Sequence, residues 1–223
     1  MKKILLGLMA TAAFSAFAES FQDFNNNLYA EYDYLSLNQG TIGSFNDWGI
    51  GGTFQAKNNI WATASAVAGN GTYSNANSVY NNQAISNSNL GIKGGYAFQF
   101  FGGDNSGFQV IPYVGFGTNS MTGAGTSQTS YLYGAGLKPE YRFLTSLKVS
   151  LDASIYGVQQ GQSTFTTSGQ RFDYALNPEV QYDINKTVML AVGYTYNNSF
   201  NSQGTLAGDG GNSTVTAKVG YLF

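Results

Sequence analysis

Glu31 and Asp33, two carboxylates two residues apart, are the side chains whose types and spacing most suggest chemistry. In an extended segment residues i and i+2 share a face, and neighbouring carboxyl groups can divide acid and base roles between them. Nothing else in the sequence joins them in that task. The 223 residues include no His and no Cys, which excludes a Ser-His-Asp arrangement, a histidine or thiolate metal site and a disulfide framework. No metal and no cofactor is expected. The plainer reading places Glu31 and Asp33 in a polar interior, and on that reading the chain is not expected to be an enzyme.

The two acids belong to a larger set. Ten segments alternate apolar and polar positions with the period of a strand, near 27–37, 47–57, 60–68, 88–100, 108–118, 130–143, 147–157, 171–184, 188–197 and 213–223. One face of these segments collects residues such as Leu28, Trp48, Ile50, Leu90, Val114, Leu137, Ile155, Val192 and Val219, and carries no charge. The other face carries Glu31, Asp33, Asp47, Lys93, Lys138, Glu140, Arg142, Lys148, Asp152, Asp173, Glu179, Asp183 and Lys218. All of these charges therefore point one way.

Connections between the segments alternate in length. Tight turns fall at Asn58-Asn59, from Gly102 to Ser106, from Leu144 to Ser146 and at Asn185-Lys186. Between them come longer polar runs at Asn38 to Asn46, Gly69 to Ala84, Asn119 to Thr129, Val158 to Gln170 and Asn198 to Asn212. This is the asymmetry of bacterial transmembrane barrels, which also favour even strand numbers.

The start of the chain reads as a secretory signal: Lys2 and Lys3, an apolar run from Ile4, and small residues at Ala16 and Ala18. The expected organisation is a signal peptide over 1–18 and one barrel domain over 19–223. Without Lys2 and Lys3, the ten basic residues fall to eight against twelve acidic ones, a mild acidity with no patch suited to nucleic acid. No later stretch offers the roughly 18 apolar residues of a membrane helix. A closed barrel is the other structure that satisfies every backbone hydrogen bond in lipid.

A soluble, lipocalin-like barrel would show the same alternation turned inside out. Aromatic placement favours the membrane reading. Tyr32, Tyr34, Trp48, Tyr131, Tyr133, Phe172 and Tyr196 mark the apolar face toward the longer connections, and Phe100, Phe143, Tyr182 and Phe223 mark it toward the tight turns. Two such rows match interfacial girdles. A Lys or Arg on the lipid face costs about 2–4 kcal/mol near the midplane, which accounts for the uncharged face.

The expected fold is therefore all-β: an antiparallel up-and-down transmembrane barrel of about ten strands, with eight as the alternative, around a polar lumen. Two features resist the pattern. In Ile60 to Val67 either Ile60 or Trp61 could lead the outward face. Pro112, Pro139 and Pro178 fall inside strands, where each lacks a ladder donor, so local bulges are expected there.

The pieces Ile111-Pro112-Tyr113-Val114-Gly115, Tyr133-Gly134-Ala135-Gly136-Leu137-Lys138 and Lys218-Val219-Gly220-Tyr221-Leu222-Phe223 resemble the small bacterial outer-membrane β-barrel proteins of the opacity and porin-like group. The resemblance implies an outer-membrane location, contact with outer-membrane lipid and no single activity. Many members of that group have eight strands. At Val219, Tyr221 and Phe223 it also implies a C-terminal insertion signal for the barrel assembly machinery.

For function, barrel size is the guide. About eight strands leave an interior filled by side chains, whereas sixteen or more leave an open channel. Glu31, Asp33, Lys93, Lys138, Glu140, Asp152, Glu179 and Lys218 are expected to form a lumen charge belt. Lys138, Glu140, Asp152 and Glu179 should lie at similar height, and Lys218 should face Glu31. Such a belt could be purely structural, giving an envelope-stabilising barrel. It could equally form a constriction for small ions and solutes, mildly cation-preferring because the inward charges comprise eight acids and five bases. The alternative is a surface adhesin acting through its extracellular loops.

Overall fold

The computed structural model describes residues 20–37, 42–74, 83–102, 106–123, 126–160, 169–199 and 211–223. The expected signal peptide lies outside them. Eleven strands follow a short helix, α1, at Phe21–Asn25: β1 Asn27–Leu37, β2 Ile42–Gln55, β3 Ile60–Ser74, β4 Gln83–Tyr96, β5 Phe98–Gly102, β6 Ser106–Gly123, β7 Thr126–Phe143, β8 Leu147–Gln160, β9 Gly169–Asp183, β10 Val188–Ser199 and β11 Asn212–Leu222. β4 and β5 form one stave. Both pair with β6 in a common register, Gly95 opposite Tyr113 and Phe98 opposite Val110. Every other strand pairs antiparallel with its sequence neighbours, and β1 closes on β11 with Glu31 opposite Lys218. The result is a closed barrel of ten staves.

The two faces separate as the alternation requires. Leu28, Trp48, Ile50, Leu90, Val114 and Val219 are exposed, whereas Glu31, Asp47, Glu140, Arg142, Lys148, Asp152, Asp173 and Asp183 are buried inside. So continuous an apolar exterior needs lipid around it. β3 resolves its ambiguity decisively: Ile60 is 52% exposed and Trp61 only 1%. Trp61 packs inward with Ala97, Ile111 and Tyr113 as an apolar cluster near the tight-turn end of the lumen.

The tight turns form from local backbone chemistry. Asn59 takes a left-handed conformation, φ 65°, between β2 and β3, a conformation that asparagine tolerates better than most residues. Asn185 accepts the amides of Thr187 and Val188 at 2.8 Å through its side chain, turning the chain from β9 into β10.

Three expectations need correction. The prolines do not produce bulges. Pro112, Pro139 and Pro178 each stay in register with one neighbour, Leu137, Val110 and Leu151 respectively, and interrupt the ladder on the other side. Pairing toward β8 skips from Leu137–Ala153 to Glu140–Ser150, and toward β10 from Gly193–Glu179 to Tyr196–Leu176, with no shift of register. At Pro112 the break falls at Ala97, whose amide is taken by Asn59 O at 2.9 Å. The shift in register lies instead between Gln99 and Phe101.

The long polar runs are also shorter as loops than their composition suggests. β6 and β7 are each 18 residues, well beyond the 9–11 or so that cross a bilayer. Their ladder runs out to Gly123 opposite Thr126. Ser120 bonds Thr129 at 2.9 Å and Thr122 bonds Ser127 at 3.1 Å across it. Beyond the lipid both faces can be polar, so the ladder outlasts the hydrophobic alternation that reveals a strand in sequence.

The third correction is α1 itself, which the alternation could not reveal. Ser20 donates its amide to Asp23 Oδ2 at 2.8 Å, the reciprocal half of a capping box. Phe21, Phe24 and Asn25 are fully buried.

Candidate functional site

Two of the five ion pairs among the described residues reach over intervening staves, and three run along the wall. Lys93 Nζ on β4 lies 2.6 Å from Asp152 Oδ2 on β8, with β6 and β7 between them. Tyr113 donates its hydroxyl to the other oxygen of Asp152, and the Lys93 ammonium stands 4.8 Å from the centre of the Tyr113 ring. Lys218 Nζ on β11 lies 2.6 Å from Glu179 Oε2 on β9, with β10 between. Lys138 and Lys148 flank Glu140 at 3.1 and 3.6 Å.

The expected height relations hold in part. Glu140 and Glu179 are both opposite Ser150, so they share a level. Lys138 joins Glu140, but Asp152 pairs with Lys93 and Glu179 with Lys218. Glu31 faces Lys218 in the ladder as expected, yet the ion pair goes elsewhere. Glu31 and Asp33 form no salt bridge among the described residues, and neither does Asp47, which stands directly opposite Asp33 in the β1–β2 ladder. The three acids gather on one side of the lumen. They do not converge into a metal-ligating group among the described residues.

Asp47 accepts a hydrogen bond from Asn87 on β4, 2.7 Å away over the top of β3. Gly69 permits that crossing. A Cβ there would come within 2.0 Å of Asn46 O and 2.4 Å of Asp47 Oδ1.

α1 and its neighbours form a floor at the tight-turn end. Asn25 donates to Gln55 Oε1 at 2.7 Å and Glu140 Oε2 at 2.9 Å, and accepts from Lys148 Nζ at 2.5 Å, so one side chain ties β2, β7 and β8 together. Gln181 on β9 donates to Phe24 O at 3.1 Å. Gln109 completes the network with Gln55 at 3.1 Å and Glu140 at 2.7 Å. Above it lies a polar cavity of about 320 Å³ whose walls include Glu31, Asp33, Lys93, Lys138, Asp152, Glu179 and Lys218. Seven of the eight residues expected in the belt line this cavity, while Glu140 lies in the floor network with Asn25 and Gln109. A second cavity of about 550 Å³ shares Ser65, Asn89 and Lys93 with it and reaches Asn119 and Arg171 nearer the long connections.

Two functional features escaped the sequence. Arg171, paired with Asp173 at 3.0 Å, sits where its segment merges into a polar run. The floor escaped because its residues lie ahead of the first alternating segment, although Ser20 and Asp23 at capping-box spacing, with Phe21 and Phe24 three apart, carried a signal for it.

No protein-family model matches the chain, and no curated protein sequence matches it. Solved structures do. The β domain of the Bordetella autotransporter BrkA aligns over 89% of this chain and 100% of its own, at 10% identity and a TM-score of 0.53. The chain has the fold of the bacterial outer-membrane β-barrels. An outer membrane channel from Pseudomonas putida F1 aligns over 89% of this barrel and 96% of its own chain, at 8% identity and TM-score 0.47. The outer membrane protease OmpT from Escherichia coli aligns over 89% and 97%, at 8% identity and TM-score 0.49. At such identities the likeness is one of fold alone. It does correct the expectation that the barrel is not an enzyme: a protease stands among the matched barrels, so this architecture is no ground for excluding catalysis.

Proposed function

We propose that the barrel lies in the outer membrane as a narrow channel for small polar solutes, weakly cation-preferring and narrowed at its tight-turn end by α1. The observation that carries this reading is the polar chamber walled by Glu31, Asp33, Glu179 and Lys218, in which the bases are held by acids while Glu31, Asp33 and Asp47 keep no salt bridge among the described residues. An excess of acid on one wall attracts cations. Export through a cleaved leader and insertion by the barrel assembly machinery complete the proposal. Val219, Tyr221 and Phe223 all point outward from the closing strand, where such a machinery could read them.

The purified barrel in a planar bilayer provides the test. Small conductance steps and a reversal potential showing cation preference are expected, with the preference lost on Glu31→Lys. Silence at high salt, for the intact chain and for a chain lacking α1, would leave an envelope-stabilising barrel instead.

A further inference from the structure

We propose that the 550 Å³ cavity nearer the long connections is a binding site for a small neutral saccharide. This goes beyond the channel reading, because a cup can bind without conducting. Its volume lies within the range of small-molecule sites, about 300–1,000 Å³.

The lining selects the chemistry. Its polar side chains include Asn89, Asn119, Ser130, Ser154, Tyr156 and Asn197. Asn119 donates its amide to Asn87 at 3.0 Å and to Asn89, which leaves the Asn119 oxygen as acceptor and the Asn89 amide nitrogen as donor toward the cavity, and a hydroxyl offers both in one atom. A sugar's vicinal hydroxyls present the same pattern. The charged groups at the cavity are already engaged: Lys93 with Asp152 at 2.6 Å, and Arg171 through Nε with both oxygens of Asp173 at 3.1 and 3.0 Å. A charged ligand would have to break a partly buried pair to find its counterion, whereas a neutral one need not.

The backbone makes the room. Gly91 faces Gly117 across β4 and β6, and Gly115 faces Gly134 across β6 and β7, so three adjacent staves present bare inward backbone. A Cβ built on Gly91 meets nothing nearer than Ser65 Oγ at 4.0 Å. The ring of Tyr156, on a neighbouring inward position, supplies an apolar face for the C–H side of a sugar ring.

The test is equilibrium binding to the full barrel in detergent micelles, by calorimetry and saturation-transfer NMR. The probes are glucose and maltose, with gluconate and glucosamine as charged counterparts. Saturable binding of a neutral sugar is expected, weakened about three- to tenfold by Asn119→Ala through loss of a hydrogen-bonding amide. Gly91→Leu directs a side chain into the cavity from a position where a Cβ has room, and should abolish binding. Gly94→Leu, on the opposite face with nothing within 4 Å of its Cβ, should leave binding intact. Circular dichroism and heat-dependent gel migration confirm folding of each variant. The proposal is overturned by an absence of neutral-sugar binding, by tighter binding of gluconate or glucosamine, or by unaltered binding in folded Gly91→Leu. None of these readouts requires conduction, so failure here is distinguishable from failure of the channel.

Discussion

Lys218 stands directly across the β1–β11 ladder from Glu31, yet its ammonium lies 2.6 Å from Glu179, over the width of β10. The ammonium also sits 4.8 Å from the Tyr29 ring centre, a cation–π position on the same inward face. Glu31 is left as a second carboxylate beside a cation that is already taken. Removing one partner of a buried pair costs about 3–5 kcal/mol when the other is orphaned. Here Glu31 can step in, so Glu179→Gln should cost less, about 1–2 kcal/mol, and Glu31→Gln under about 1 kcal/mol. The double variant should lose about 1 kcal/mol more than the sum. Urea unfolding in detergent, followed by tryptophan fluorescence, measures all three; simple additivity would show that Glu31 is no reserve partner.

How much of this was legible depended on distance along and across the wall. The outward face follows from a period of two within each segment, so Leu28, Ile50 and Val219 could be placed from their neighbours alone. Ile60 and Trp61 could not, because the Ala and Thr residues after them fit either face; burial of the indole beside Tyr113 decides it. The pairing of Lys93 with Asp152 was illegible for a different reason. It spans two intervening staves, so it depends on closure and stagger of the whole barrel, which no local pattern encodes. Ser120 and Thr122 misled in the opposite sense, since their polarity suggests loop while their backbone continues the ladder to Gly123.

The floor gives a second prediction. Phe24 is wholly buried, and its carbonyl is held by Asn27 at 2.8 Å and Gln181 at 3.1 Å. Phe24→Ala should cost about 3 kcal/mol as a cavity in packed surroundings. Deleting Ser20 to Asn25 removes α1 from the floor while leaving all eleven strands. Bilayer conductance should then rise severalfold over the intact chain, with folding checked by gel migration. An unchanged trace in the truncated barrel would mean that the Trp61, Ile111 and Gln109 layer closes the lumen unaided.

A third prediction concerns lipid. Ile50 lies mid-strand on the outward face, opposite Ala30 and Ala66, and is 70% exposed to the surrounding medium. Phe54, on the same face, lies one residue from the end of β2 at the tight-turn side. Ile50→Arg should destabilise the barrel in bilayers by about 2–4 kcal/mol, and Phe54→Arg by no more than about 1 kcal/mol beyond loss of its ring, because the cost of charge falls toward the interface. Reversible unfolding from phospholipid vesicles gives both numbers. Equal costs at the two depths would contradict a membrane around this face.

The last prediction separates folding from delivery. Phe223 is 59% exposed, and the hydrogen bond that anchors the chain end runs from its backbone amide to Asn26 O at 3.0 Å. Phe223→Ala keeps that amide and removes only an outward ring. Stability of the refolded barrel in detergent should therefore change by no more than about 0.5 kcal/mol, the usual range for a surface substitution. If Val219, Tyr221 and Phe223 are read during insertion, the same variant should reach the outer membrane at a clearly lower level in cells, measured as the heat-modifiable fraction in isolated envelopes. A matching loss in detergent would assign the ring a structural task, whereas normal levels in both settings would remove Phe223 from the insertion signal. Because the ring and the amide point in different directions from one residue, these outcomes cannot be confused.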